Sequence, residues 1–150
     1  MDYQCFTNAP SDFMPFVEVS SCYCECDNRI LLLKRQIGKP YENLWGVPAG
    51  KIDQGETPYD ALLREVYEEV GIELLPEKVI YIGKLFFRIA MGDYVYHMFV
   101  HPFEKRPEIT LAIDEAEEAR WTTVAEAIQL PLMPGAFDAL KTYMHYKDTL

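Results

Sequence analysis

The fifteen residues "TPYDALLREVYEEVG", 57 to 71, constrain this chain more than any other stretch, because every signal in them points to one helix. Thr57 is a capping side chain, Pro58 suits the first helical position, and Asp60 sits three residues after the cap. Tyr59, Leu62, Leu63, Val66 and Val70 recur at i, i+3, i+4, i+7 and i+11, a stripe that must lie against a core. Gly71 ends the helix as its left-handed residue. With the stripe buried, Glu65, Glu68 and Glu69 become neighbours on the opposite side, just after Arg64. Like charges at such spacings cost roughly 0.2–0.5 kcal/mol per pair. The chain is already acidic, with 24 acidic against 14 basic residues and a net charge of −10. The crowding is therefore either a solvated acidic face or the seat of a cation. Mg²⁺ suits the second reading, because it takes oxygen ligands and combines a few carboxylates with waters and phosphates.

Around this helix the sequence reads as one domain, residues 1–150, with residues 1–15 as an irregular arm. "FVEVSSCYCEC" is a strand, "DNR" a tight turn and "ILLLKR" the returning strand. The run "QIGKPYENLWGVPAG" holds three glycines and two prolines and reads mostly as loop. "KVIYIGKLFFRIA" and "DYVYHMFVHPF" are two strands joined at Met91-Gly92-Asp93, and "EARWT" is a short strand. Thr123 to Glu126 opens a short helix with a capping box, and a last helix runs from about Pro134 towards Lys147. Strands and helices mixed in this order predict an α/β fold, a mixed sheet flanked by helices.

The charge balance excludes several functions. An acidic surface repels phosphate backbones, so no nucleic acid polymer is expected as a partner. No apolar run approaches ~18 residues, so no membrane partner is expected either. The start "MDYQCFTNAPSDF" lacks the basic and apolar regions of a secretion signal, which leads to a cytoplasmic expectation. Cys22, Cys24 and Cys26 alternate along a strand and share one face. They lack the second cysteine pair of a zinc site and read, with Cys5, as reduced structural residues.

The decisive pattern is longer than the helix. Gly50 is followed by five residues, Glu56, seven residues, and then Arg64-Glu65-Val66-Tyr67-Glu68-Glu69-Val70-Gly71-Ile72. This resembles the signature of the Nudix hydrolases, G-x₅-E-x₇-R-E-U-x-E-E-x-G-U, with U a bulky apolar residue. Seven positions are fixed by type at ~6% each, so a chance match at one start is on the order of 10⁻⁹. "ILLLKR", "LWGVPAGK" and "EEARW" with its capped helix extend the resemblance over most of the domain.

The resemblance implies the family's α/β/α sandwich around a mixed sheet. It implies that Glu65, Glu68 and Glu69 ligate Mg²⁺, with Mn²⁺ as a substitute, and that the Gly50 carbonyl adds a ligand. Arg64 and Glu56 would pair to brace the loop against the helix. The implied reaction is hydrolysis of a phosphoanhydride in a nucleoside diphosphate linked to a variable group X. A general base comes from a box glutamate or from a separate loop. Of Asp114, Glu115, Glu117 and Glu118, Glu115 is favoured, since it lies six residues before Trp121, as in oxidised-nucleotide hydrolases of the family. A homodimer is compatible with the resemblance.

The identity of X is harder to read. The NADH-pyrophosphatase and coenzyme A motifs are absent, Phe87 stands where many ADP-ribose hydrolases carry proline, and Arg88 where dinucleoside-polyphosphate hydrolases carry tyrosine. These absences favour a nucleoside triphosphate, oxidised or not, cleaved to the monophosphate and pyrophosphate. ADP-ribose or nucleotide-sugar hydrolysis is the alternative, and a non-catalytic nucleotide-binding module is a second one that the complete box disfavours. Arg35 and Lys51 are the phosphate-binding candidates, with Lys34 beside Arg35. Trp45 is a candidate for stacking a base, as are Phe86, Phe87 and Tyr94, although strand aromatics more often fill a core. His97 and His101 share a strand face and read as structural.

Overall fold

The computed structural model describes residues 2–150. Its strands are β1 (Gln4–Phe6), β2 (Pro15–Cys26), β3 (Arg29–Arg35), β4 (Trp45–Gly46) and β5 (Ala49–Lys51). Helix α1 (Pro58–Val70) follows, then β6 (Ile80–Ile89), β7 (Gly92–Pro102), β8 (Ala116–Thr122), α2 (Val124–Ala127) and α3 (Ala136–Asp148). The sheet order is β1-β6-β7-β2-β3-β4, with β5 also beside β2 and β8 beside β3. The sheet is mixed because β2 runs parallel to β7 while its other pairs are antiparallel.

Alternation along the central strands builds two cores. Cys22, Cys24, Leu31, Leu33 and Phe99 face one way and meet the α1 stripe of Leu62, Val66 and Val70. Tyr23, Ile30, Leu32 and Val100 face the other way, towards Ala127 of α2 and Leu140 and Tyr143 of α3. Tyr23 and Tyr143 stack there with ring centroids 4.5 Å apart. The result is an α/β/α sandwich. Each fully buried Leu or Val of α1 contributes about 1.5–3 kcal/mol through apolar burial, which outweighs the few tenths lost to each like-charge pair on its other side.

Three expectations change. The Gly- and Pro-rich run holds β4 and β5, and β5 pairs with β2 through Val19↔Lys51, Ser20↔Gly50 and Ser21↔Ala49. A strand glycine there marks a close approach rather than a chain break. Residues 4–6, expected in an irregular arm, instead pair with Phe86–Arg88 of β6. The β6–β7 turn falls at Ala90-Met91, and Gly92 already belongs to β7.

The long strand β2 has two partners on one side. It meets β3 only at Glu25 and Cys26, and β5 at Val19–Ser21. Residues of β2, β3 and β5 then line a single cavity. No helix among the described residues is long and apolar enough to cross a membrane.

Candidate active site

Helix α1 starts where the sequence signals it. The Thr57 side chain accepts from the Asp60 N–H at 3.0 Å, and Gly71 closes the helix at φ 70°. This fixes the rotation of the glutamates, but they do not share one environment. Glu68 is open to solvent, with 56% of its side chain exposed, whereas Glu65 retains 17%. Glu69 reaches inward, and its Oε1 accepts from the Ala49 N–H at 3.0 Å. The expectation of three carboxylates on the solvent side is therefore corrected. Strand β5, taken for loop, lies beside the helix and covers two of them.

Gly50 makes this possible. A Cβ at position 50 would collide with the Glu65 carboxyl group, so only glycine lets that carboxyl stay against β5. Arg64 holds the assembly from the other side. Its Nε and Nη2 each donate to Glu56 at 2.8 Å, and Nη2 also donates to the Lys51 carbonyl at 3.1 Å. Nη1 donates to Glu65 at 2.8 Å and to Glu68 at 3.2 Å. One guanidinium thus ties the loop, β5 and the helix together through a planar fork that lysine cannot reproduce. Glu56, bonded to Arg64 and to the Asp53 N–H, is held down at about 2.

Negative charge is in surplus on the inner side. Burial and the Glu65 charge, with Glu115 adding to them, push Glu69 up to about 8 against the opposing pull of the Ala49 N–H and Arg35. Glu65 is also raised, by burial first, although Arg64 opposes it. Two hard-oxygen carboxylates, one raising the pKa of the other, with the Gly50 peptide at Glu65, form a donor set suited to a divalent cation. Among the described residues no three His, Cys, Asp or Glu side chains already stand together as a metal cage. Glu68 is turned to Arg64, which takes one of its two carboxylate oxygens.

The Glu69 carboxyl opens into a cavity of about 380 Å³. Arg35, Lys51, Glu69 and Glu115 all line it, so the structure brings these candidates together. Glu115 also pairs with Lys39 at 3.8 Å, and Arg35 Nε donates to the Pro40 carbonyl at 3.2 Å. The rest of the lining is largely apolar and aromatic, from Phe16 and Met91 to Met133 and Leu140 below α3.

Trp45 does not belong there. It is only 4% exposed, packs in the α3-side core, and carries the Arg120 guanidinium 4.7 Å from its ring, so the substrate-stacking expectation is corrected. Its β4 position pairs it with Lys34, which turns the indole into the core. Phe87 and Tyr94 line the cavity, while Phe86 instead packs edge-on against Phe13. Lys34 pairs with Glu117, and Glu118 with Arg120, away from the cavity lining. His97 bonds Glu18 at 2.6 Å and Tyr81 at 3.0 Å, and His101 accepts from the Leu75 N–H. Both serve the sheet.

Sequence reasoning missed Phe16, Tyr41, Met91, Tyr96 and Met133. Tyr96 carried a usable signal, since it lies two residues from Tyr94 on the same strand face. Tyr41 carried none, because it reaches the cavity from a loop at φ 61°.

The NUDIX domain family model matches residues 14–145. The CTP pyrophosphohydrolase of Escherichia coli (strain K12) is 29% identical over 133 residues, covering 87% of this chain and 93% of that protein. The solution structure of the E. coli ORF135 protein superposes with a TM-score of 0.74 at 27% identity, over 89% of this chain and 92% of that one. The NUDIX domain of Shewanella oneidensis NrtR, cocrystallised with ADP ribose, superposes with a TM-score of 0.75 at 19% identity, over 93% of each chain. That last likeness is one of fold.

Proposed function

The chain belongs to the Nudix family of hydrolases, and on that premise we propose that it cleaves a nucleoside triphosphate to the monophosphate and pyrophosphate. One observation carries the reading. The inward carboxylate Glu69 meets Arg35, Lys51 and Glu115 at one cavity, beside the Gly50 peptide that lies on Glu65, and the cavity continues as an apolar space for a nucleoside. A CTP pyrophosphohydrolase among the relatives supports the same substrate class.

Arg35 and Lys51 bind and orient the phosphates, the arginine through its fork. Glu65, Glu69 and Glu68, with the Gly50 carbonyl, hold a divalent cation, Mg²⁺ in preference to Mn²⁺. When bound, such an ion neutralises phosphate charge and acidifies water. Ionised Glu69 or Glu115 accepts the proton of the attacking water. A P–O bond forms to that oxygen, the anhydride P–O bond breaks, and pyrophosphate leaves. Arg64 is a positioning residue, acting through Glu65 and Glu68. The free thiols fit a reducing, cytoplasmic setting.

The test is a hydrolysis screen with Mg²⁺ over nucleoside triphosphates, oxidised ones included, ADP-ribose and nucleotide sugars, with products resolved. Pyrophosphate plus a monophosphate is the expected outcome. Two phosphomonoesters from ADP-ribose, with no triphosphate turnover, would replace this reading by the alternative.

A further inference from the structure

Resting on that reading, we infer that the cavity recognises the nucleobase by stacking and shape, and is therefore nearly indifferent to which base the triphosphate carries. The lining divides into two parts. Its four charged side chains, Arg35, Lys51, Glu69 and Glu115, gather at the α1 end, where Arg35 and Glu115 both act on the Glu69 charge. Beyond them, among the described residues, no Asn, Gln, Asp, Ser, Thr or His side chain lines the cavity. Those are the groups that read a base edge by a fixed donor and acceptor pattern.

Aromatic faces stand in their place. Tyr94 stacks on Phe87 with centroids 5.2 Å apart and planes 23° from parallel. Phe16 lies against Gly92, beside the exposed Met91 of the hairpin tip, and Tyr41 enters from the β3–β4 loop. The Tyr94 hydroxyl has no hydrogen-bond partner among the described residues, and a phenol both donates and accepts, so it does not discriminate between bases. Every base has a face to stack, which makes this contact tolerant of sequence. An apolar pocket separates close analogues by about 10–200-fold, whereas a hydrogen-bonding site reaches 10⁴ or more.

The experiment is calorimetric binding of non-hydrolysable analogues of ATP, GTP, CTP and UTP, with tripolyphosphate as the base-free control. The four Kd values are expected within about tenfold of each other and well below that of tripolyphosphate. Tyr94→Ala should weaken all four by about tenfold or more, and Tyr94→Phe should leave them unchanged. A preference above about 10³ for one base would overturn the inference, as would a Tyr94→Phe effect confined to one base or nucleotide binding no tighter than tripolyphosphate. Turnover of the hydrolysable nucleotides, followed in parallel, separates the two readings. Even binding without turnover keeps this inference and sinks the triphosphatase, while turnover with one dominant base does the reverse.

Discussion

Replacing Glu69 by glutamine should make the metal-free protein more stable, by an amount that starts near pH 4.5 and grows until about pH 8. The Glu69 carboxyl lies at about 8 against 4.5 for an unhindered glutamate, because burial and neighbouring carboxylates disfavour its charge. Between those values the native state keeps a proton that the unfolded chain has released. Stability is then complete below about pH 4.5 and falls as pH rises through about 8. About 3.5 pH units at about 1.4 kcal/mol each set a ceiling of about 5 kcal/mol. The cavity admits water, which keeps the total below that ceiling, and about 2 kcal/mol of the loss is expected between about pH 5.5 and 8.5. Glutamine keeps an oxygen for the Ala49 N–H and has no proton to lose. Chemical denaturation in EDTA at those two pH values measures the effect. Wild type should weaken by about 2 kcal/mol across the interval and Glu69→Gln should not. Parallel behaviour of the two proteins would refute the argument that Glu69 is buried against its own charge.

Adding millimolar Mg²⁺ at pH 8.5 should raise the wild-type melting temperature, by about 2.7 kcal/mol of stability at a hundredfold excess over Kd, and Glu69→Gln should gain less. An unchanged melting curve together with EDTA-resistant hydrolysis would show that no cation binds here. In Gly50→Ala the new Cβ meets the flexible end of Glu65 rather than backbone, so stability should stay within about 1 kcal/mol of wild type. Hydrolysis should nevertheless fall by about 10²-fold as the carboxyl swings aside, and an active Gly50→Ala would show that the position of Glu65 is unimportant. Arg64→Lys keeps the charge but loses the fork to Glu56, so it should shift the denaturation midpoint by about 1–2 kcal/mol and lower kcat. A variant as stable as wild type would argue against the bracing role.

Much of this was legible in the chain because local chemistry and tertiary structure agree. Thr57, Pro58 and Gly71 bound α1 where their capping chemistry requires, and Thr123 and Glu126 form the capping box that opens α2. The alternation of β2 and β3 matched the two cores. What was not legible depended on partners distant in sequence. Gly50 reads as a breaker until β2 is seen alongside it, and β5, the strand this pairing makes, then covers Glu65 and Glu69 while leaving Glu68 in water. Trp45 is as hydrophobic as any stacking residue, and only its packing in the α3-side core under Arg120 takes it out of the cavity lining. Tyr41 and Met91 come from a loop and a turn, where neither period gives a direction.

The most direct test is the kcat of Glu69→Gln with a nucleoside triphosphate at saturating Mg²⁺. Its fold is expected to be at least as stable as wild type, so misfolding cannot account for lost activity. A kcat reduced by about 10²-fold or more, with nucleotide still bound, is the result predicted for a carboxylate at the reacting centre. Turnover at the wild-type rate would contradict the claim that the inward face of α1 performs the hydrolysis.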